Sequence, residues 1–437
     1  MLADKTKEKP PMTEASHKST FFRQSGWMMI ATVTSGVFMS LIHGFSKVLP
    51  ENEYSALGTL FQVLNWMTIP ALGLQMVFAQ QASAVITDKH RHQLVGTARR
   101  VMLWTFCIWL AMAIIVFFGR NYFIATLKIS NPAALWITVI ISLVMLWRPI
   151  FLGLLQGRQN FLWMGWAAIF DGVGRVVIAG IIVTFLHGWA AGIMAGALIG
   201  LVSALATATW QNRDLLEEPS ASFEAGAWLK RVMPLTLGFG ASQFVFSADL
   251  IVVQSHFNET GDYVFGGTLA RAIVLFTGPL AAVMFSKLAH SAARSQKNDL
   301  MGLTLLGTAV LGSMAAIGLM ITAPLLIKYG SKPEYRTILP LMSLFAWSMV
   351  PLAVANVLVN NLMAHSRFKV VPALVAVAIG YWVALQHHHS SFKEVIQTLG
   401  VFSTLFLLVC VVFTWGVKEK AKPALDEEAP PVEPLSI

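Results

Sequence analysis

The sequence predicts an all-α membrane protein of about twelve transmembrane helices, arranged as two lobes of six. Three observations support this fold class. Apolar residues make up 56% of the 437 residues and charged residues only 12%, about half the charged share of a soluble domain. The mean hydropathy is +0.65, and the apolar residues fall into separate runs that are each long enough to cross a bilayer. The third observation is an internal repeat between the two halves of the chain.

The apolar runs and the polar stretches between them predict the organisation of the chain. Residues 1–24 form a basic cytoplasmic tail, 25–210 an N-lobe, 211–229 a polar cytoplasmic linker and 230–417 a C-lobe. Residues 418–437 are rich in Pro and Glu and predict a disordered cytoplasmic tail. The predicted spans are 26–44, 54–86, 101–118, 134–155, 161–186, 189–210, 230–253, 263–287, 301–327, 338–363, 370–386 and 397–416.

The basic residues predict which side of the membrane each loop occupies. A formal charge of +9 would indicate nucleic-acid binding in a soluble protein. Here the Lys and Arg in the loops and at the ends of the spans number 21 on one set of alternating segments and 7 on the other. The positive-inside rule therefore explains the charge, and it places both termini in the cytoplasm. We expect a multi-pass protein of the bacterial inner membrane, with no nucleic-acid partner.

The internal repeat appears when the chain is shifted by 209 residues. Several identical residues then coincide within a short ungapped stretch, and two loop arginines coincide further along. Six helices separate the copies, so the two lobes have the same orientation and are related by an axis along the membrane normal. The matched pairs are Tyr54 with Tyr263, Gly58 with Gly267, Thr59 with Thr268, Leu60 with Leu269, Thr68 with Thr277, Pro70 with Pro279 and Arg158 with Arg367.

Five charged residues fall inside predicted spans, and the repeat aligns each with an uncharged residue. A charge at the bilayer centre costs roughly 2.5–3.5 kcal/mol on insertion scales, so it normally faces a cavity or a partner. Three positive charges against two negative ones predict a mildly cationic cavity, which suits a phosphate or diphosphate. These candidate substrate-binding residues are Arg148, Asp171, Arg175, Asp249 and Arg271.

Each candidate also has a purely structural interpretation. Asp249 and Arg271 lie on consecutive spans, so they either pair to hold two helices together or bind substrate through Arg271, with Asp249 orienting it or gating the cavity. Asp171 and Arg175 are spaced i, i+4 and can pair on one helix. Arg148 can extend towards the lipid headgroups. The sequence alone leaves these alternatives open.

Several segments of the chain resemble the polysaccharide-transporter branch of the multidrug/oligosaccharidyl-lipid/polysaccharide (MOP) exporter superfamily. The resemblance implies two six-helix lobes, a V-shaped central cavity and the flipping of a lipid-linked sugar across the bacterial inner membrane. It also implies that Arg271 is the cationic residue of the cavity. The segments that carry it are the turn with Tyr54 and Gly58, the turn Gln156-Gly157, and the hairpin with Asp249, Gly261 and Tyr263.

Two departures favour that branch over its relatives. The drug-exporting branch commonly carries an acid in its first helix, and Trp27–Gly44 contains none. Peptidoglycan-precursor flippases typically add two further helices at the C-terminus, whereas about twelve spans are predicted here.

The sequence therefore predicts a flippase for a lipid-linked oligosaccharide, working by alternating access. The expected partners are a lipid-diphosphate-linked glycan, membrane lipids and, as an open alternative, a coupling cation; no cofactor or metal is expected. One alternative is a cation-coupled exporter of small amphiphiles. A membrane-embedded glycan polymerase or ligase fits less well, because the predicted outer loop Gly119–Pro132 contains no acid or histidine. The chain is therefore expected not to be an enzyme.

Overall fold

The structure is a computed structural model. It describes residues 14–41, 67–85, 87–126, 131–221, 225–257, 260–293, 300–330 and 338–417, with isolated positions between 57 and 64 and at 129. Tyr54, Gly58 and Thr59, which carry part of the predicted repeat, lie outside the described residues. So does the predicted C-terminal tail, 418–437.

The N-lobe is built from long helices joined by short turns. Thr87 accepts a hydrogen bond from the backbone N–H of His90 and so caps the third helix. Asn131 caps the fifth helix in the same way, with Pro132 at its first position, where no N–H is needed. The helices are α1 (Glu14–Leu41), α2 (Thr68–Ser83), α3 (Asp88–Phe118), α4 (Arg120–Thr126), α5 (Pro132–Gly157), α6 (Phe161–Leu186) and α7 (Trp189–Gln211). The first of them begins inside the segment that was assigned to the N-terminal tail.

The linker and the C-lobe follow. The linker contains one helical turn, and the C-lobe begins somewhat before the predicted boundary at residue 230. Ser391 caps the last long helix by accepting a hydrogen bond from the N–H of Glu394. The elements are α8 (Arg213–Leu216), α9 (Ala225–His256), α10 (Gly261–Ala293), α11 (Leu300–Gly330), α12 (Met342–Ala364), a 3₁₀ turn (Phe368–Val370), α13 (Val371–His387), α14 (Phe392–Val411) and a π-helical turn (Val412–Gly416).

Ten helices among the described residues are long and apolar enough to cross a membrane: α3, α5–α7 and α9–α14. Their outward faces carry large apolar side chains, including Ile115 at 63% exposure and Phe118 at 82%. Such surfaces suit lipid rather than water. With α1 and α2, which complete the N-lobe, this gives about twelve membrane helices. The predicted fold class is confirmed.

The helices of the two lobes pack in the same pattern. The contacts α1–α6, α2–α5, α5–α7 and α6–α7 correspond to α9–α13, α10–α12, α12–α14 and α13–α14. The register also agrees with the predicted repeat. Adding 209 to the bounds of α5, 132–157, gives 341–366, and α12 spans 342–364. Packing and sequence therefore indicate the same pairing of helices.

The lobes meet along a seam formed mainly by α1 with α10 and by α2 with α9. The repeat exchanges these two pairs, as an axis along the membrane normal requires. Thr20, Ala82, Arg91, Gly157 and Lys287 line one cavity, so the start of α1 and the ends of α2, α5 and α10 share one end of the bundle. We call this end the inner face; the basic residues predict that it is cytoplasmic.

Candidate functional site

The first candidate site is a buried ion pair inside the C-lobe. Asp249 on α9 is fully buried and Arg271 on α10 is 6% exposed. Nη2 of Arg271 donates to the two carboxylate oxygens of Asp249, at 2.6 and 2.5 Å, and its Nε donates to the carbonyl of Phe246 at 2.9 Å. The hydroxyl of Tyr263 donates to the same carboxylate. We call Asp249, Tyr263 and Arg271 the C-lobe cluster.

Aromatic side chains enclose the C-lobe cluster. The guanidinium of Arg271 lies 5.5 Å from the ring centroid of Phe345 and 5.8 Å from that of Phe246. Gly267, one turn before Arg271, leaves this space open, because a Cβ there would collide with the guanidinium and approach Phe345. The charges of Arg271 and Asp249 cancel, and Tyr263 satisfies the carboxylate further. This geometry favours the structural interpretation, in which the pair holds α9 against α10.

The second candidate site, the N-lobe cluster, consists of Arg148, Asp171 and Arg175. Nε of Arg175 donates to Asp171 Oδ1 at 2.6 Å, one turn along α6, so the predicted i, i+4 pairing is confirmed. Nη2 of Arg148, on α5, lies 3.3 Å from Asp171 Oδ2. Arg148 therefore bonds across to α6 instead of extending to the headgroups, because a buried carboxylate lies within its reach.

The N-lobe cluster carries a surplus positive charge. Two guanidinium groups share one carboxylate, and Nε of Arg148 is buried without a hydrogen-bond acceptor among the described residues. The side chains of Arg148 and Arg175 are 24% and 14% exposed, against 6% for Asp171. The exposed part of this cluster is thus cationic, and a buried donor of Arg148 beneath it has no acceptor among the described residues.

Glycines in α7 bring that helix close to the N-lobe cluster. Gly192, Gly196 and Gly200 recur every four residues, and a Cβ at Gly200 would collide with the carbonyl oxygen of Asp171 and press on Arg175. Such small-residue stripes allow the backbones of membrane helices to approach closely. The repeat aligns these glycines with Val401, Leu405 and Val409, so the C-lobe lacks this close contact.

The two clusters make no direct contact that would join them. They lie in different lobes and share no hydrogen bond or ion pair among the described residues. The sequence also predicts that Arg175 or Arg148 helps Arg271 to hold a diphosphate, and this shared binding remains a prediction. Substrate binding by Arg271 remains a prediction.

Amide side chains close the seam near the inner face. Nε2 of Gln80 on α2 donates to the carbonyl of Met363 at 3.1 Å and to Oγ of Ser366 at 3.0 Å. Nε2 of Gln156 on α5 donates to the carbonyl of Ala282 at 3.3 Å. Neither glutamine is among the predicted substrate-binding residues, and Gln156 is predicted only as part of a turn, although a glutamine inside an apolar span is itself a signal of a polar partner. Neutral hydrogen bonds therefore hold the lobes together at this end.

Two arginines matched by the repeat anchor the turns that follow α5 and α12. Arg158 donates to Asp214 at 3.0 and 2.7 Å, and Arg367 donates to the carbonyl of Thr414 at 3.1 Å. The hydrogen bond from Arg158 holds the pKa of the Asp214 carboxyl below its usual value. Arg158 thus ties the turn after α5 to the segment that follows α7. Arg367 ties the turn after α12 to the π-helical turn that follows α14.

These features define a polytopic membrane protein of two like lobes that meet at a polar seam. No family model matches the sequence, and no curated protein gives a significant match. Solved structures do match. One is a multidrug resistance MATE family transporter of the MOP superfamily in an outward-facing conformation, with a TM-score of 0.70 and 13% identity, covering 91% of this chain and 94% of that one.

Further structures agree. A MATE transporter in complex with MaL6 has a TM-score of 0.72 at 14% identity, covering 91% of this chain and 95% of its own. A MATE transporter in the bent conformation has a TM-score of 0.65 at 13% identity, with 91% and 94% covered. At such low identity the likeness establishes the fold, so this chain has the fold of the MATE transporters. Its assignment to the polysaccharide-transporter branch remains a prediction.

Proposed function

We propose that this chain is a membrane exporter that works by alternating access, and that its substrate is a lipid-linked oligosaccharide. The shared fold with MATE transporters supports the exporter class. The seam supports the mechanism, because its amide hydrogen bonds near the inner face are few and uncharged. Bonds of this kind exchange readily for bonds to water when two rigid bodies separate.

The observation that carries the choice of substrate is the surplus charge of the N-lobe cluster. Arg148 and Arg175 share one carboxylate, and the buried Nε of Arg148 lacks an acceptor. Leaving a buried polar donor unpaired costs about 1–3 kcal/mol, and more for a charged group. A diphosphate supplies both the acceptor and the missing negative charge. A cationic substrate would supply neither.

In the proposed cycle the diphosphate binds Arg148 and Arg175, while Asp171 holds the two guanidinium groups in position. The glycan occupies the space between the lobes and the lipid tail remains in the bilayer. Arg271 keeps its predicted role only in a state in which its bonds to Asp249 are exchanged for bonds to substrate. No covalent step and no cofactor enters this proposal.

The test is a flipping assay in proteoliposomes with a fluorescent lipid-diphosphate sugar. We expect Arg148→Ala to slow flipping at least tenfold and Arg148→Lys to retain part of the rate, because Lys keeps the charge but loses the paired donors. Arg100→Ala, at an exposed position in α3, is the matched control and should flip at the parent rate. Parent-like flipping by folded Arg148→Ala would falsify the proposed binding site.

A second candidate function is cation-coupled export of small amphiphiles. The structural comparison favours this function, since one neighbour with the same fold is a multidrug resistance transporter. Among the described residues each lobe also contains one buried carboxylate, Asp171 in the N-lobe and Asp249 in the C-lobe, which a cation could use after displacing an arginine. Uptake of a cationic dye into inverted vesicles, driven by a sodium or proton gradient and absent without it, would select this function over the flippase.

Localisation and orientation form part of the same proposal. We place the chain in the bacterial inner membrane with both termini in the cytoplasm. Single cysteines introduced in residues 1–13 and 418–437 should react with an impermeant maleimide only after the inner membrane is opened. Labelling of either tail in intact spheroplasts would overturn this topology.

A further inference from the structure

A cavity at the inner face lies across the seam between the lobes. Its volume is about 660 Å³, and the residues that face it come from both lobes. This volume is within the range of ligand sites for small molecules. The N-lobe contributes Arg91, Arg158 and Gln159, and the C-lobe contributes Lys287, His290 and Ser291. We call it the inner-face pocket.

The two arginines of the inner-face pocket already have carboxylate partners. Arg158 makes two hydrogen bonds to Asp214. Arg91 lies 3.2 Å from a carboxylate oxygen of Glu218 and 3.7 Å from one of Asp214. The positive charges of the two arginines are balanced by the negative charges of the two acids, so these four residues add no net charge to the pocket.

Lys287 differs from these arginines. Its side chain is 6% exposed, and its ammonium lies 3.5 Å from Oε1 of Gln159, at the limit of a hydrogen bond. None of the ion pairs among the described residues includes Lys287. A partly buried ammonium is costly unless an opposite charge approaches it. The inner-face pocket therefore has one cation too many and an open volume beside it.

We propose that the inner-face pocket binds a phosphate group, with Lys287 as its principal cation, and that the bound phosphate holds the lobes together at the inner face. Lys binds phosphate as a compact point charge, and Ser291 lines the same cavity. Because Lys287 and Gln159 belong to different lobes, the site is complete only when the inner face is closed. A ligand that binds only this state increases its population.

This inference does not depend on which substrate is transported. Free phosphate, a diphosphate-bearing substrate and the headgroup of a membrane lipid share the required chemistry. Only the second half of the proposal, that the ligand holds the lobes together, rests on the alternating access proposed above. The experiment therefore measures binding and lobe separation apart from transport.

Binding is measured by calorimetry with inorganic pyrophosphate and the purified full chain in a detergent without phosphate. We expect Lys287→Gln to weaken binding at least tenfold and Lys287→Arg to retain most of it. The matched control is Lys230→Gln, which removes an exposed lysine close to the start of α9. Pyrophosphate should also raise the melting temperature of the parent protein but not that of Lys287→Gln.

Two results would overturn the site: no pyrophosphate binding by the parent protein, or equal affinity in parent and folded Lys287→Gln. The first of these results is decisive even if the variant does not fold, because it is measured on the parent protein alone. Phosphatidic acid in nanodiscs then identifies the source of the phosphate. Competition with pyrophosphate points to a lipid headgroup, and its absence points to a soluble or substrate phosphate.

Lobe separation is measured by electron–electron spin resonance. Spin labels at Leu162 in the N-lobe and Lys369 in the C-lobe, both exposed, report the distance across the seam after the exposed Cys107 has been replaced by Ser. We expect pyrophosphate to increase the population at the short distance. Unchanged distances with intact binding would reject the locking role while leaving the site standing, and neither result depends on the flipping assay.

Discussion

The charged clusters of the two lobes compensate their buried charges in different ways. In the C-lobe one arginine meets one carboxylate, a tyrosine adds a further hydrogen bond, and the group is sealed by aromatic rings. In the N-lobe two arginines share one carboxylate and remain partly exposed. The comparison shows that two lobes with the same pattern of helix contacts can differ in charge, since one cluster is neutral and enclosed and the other carries a surplus positive charge.

The largest expected effect comes from breaking the C-lobe cluster on one side only. Asp249→Ala leaves Arg271 buried without a counter-charge, which costs about 3–5 kcal/mol. The free energy of unfolding in denaturant should fall by that amount. The paired replacement Asp249→Leu with Arg271→Met should recover most of it, since well-packed apolar substitutes for a buried ion pair are often neutral or stabilising.

The same paired variant tests the predicted role of Arg271 in transport. If the C-lobe cluster is structural, the folded double variant should still flip substrate. If its flipping rate collapses while its stability is restored, Arg271 acts on the substrate after all. Arg271→Ala alone does not separate these outcomes, because it leaves the carboxylate of Asp249 buried and unpaired.

A smaller effect is expected from the glycine stripe of the N-lobe. Gly200→Val places a side chain against the backbone of α6 at Asp171 and Arg175, and overpacking of this kind costs about 1–3 kcal/mol. Gly318→Ala, in α11, is the matched control because nothing lies within 4 Å of its Cβ position. Its unfolding free energy should stay within about 1 kcal/mol of the parent value. Equal losses in the two variants would contradict the close packing of α7 on α6.

The loss of Arg148 should reduce the flipping rate strongly but the stability of the protein only slightly. Arg148→Met removes the unpaired donor and leaves Asp171 bonded to Arg175, so the unfolding free energy should change by less than about 1.5 kcal/mol. A destabilisation as large as that of Asp249→Ala would show that both clusters are structural. Denaturant unfolding and the flipping assay on the same preparation decide between these results.

The smallest effect concerns pH at the inner face. The pKa of Asp214 is lowered in the folded protein by its bond to Arg158, so the contribution of this pair is complete above the ordinary carboxyl pKa of about 4. It is lost as the pH falls through the lowered value. The melting-temperature difference between the parent and Arg158→Gln should therefore shrink below about pH 4. A difference that is constant across this range would contradict the shift.

Much of the fold follows from the sequence, because lipid imposes a simple rule on it. Apolar runs of membrane length must become helices, and a shift of 209 residues aligns α5 with α12. The pairing of Asp171 with Arg175 was also predictable, since both lie on one helical face. These features depend on spacing along the chain, which a single sequence displays directly.

The remaining features depend on how helices meet, and spacing along the chain does not report that. The contact of Arg148 with Asp171 joins two helices, and Gln80 reaches Met363 across the seam. Lys287 ends a predicted span, a position that indicates a cation at the membrane surface, yet its side chain is buried between the lobes. The glycines of α7 were visible in the sequence, but their partner helix was not.

Only a small part of the linker between the lobes is free to extend, because most of it is hydrogen-bonded to α3. Arg99 on α3 donates to the carbonyls of Leu216 and Glu218, and the N–H of Ala221 donates to the carbonyl of His92. The polar stretch is thereby fastened along α3 as far as Ala221, and α9 begins at Ala225. Four residue steps of extended chain reach about 14 Å. While those bonds persist, the short segment between Ala221 and Ala225 limits the distance between the first turn of α9 and the near end of α3. This limit holds however widely the helix bundle opens elsewhere.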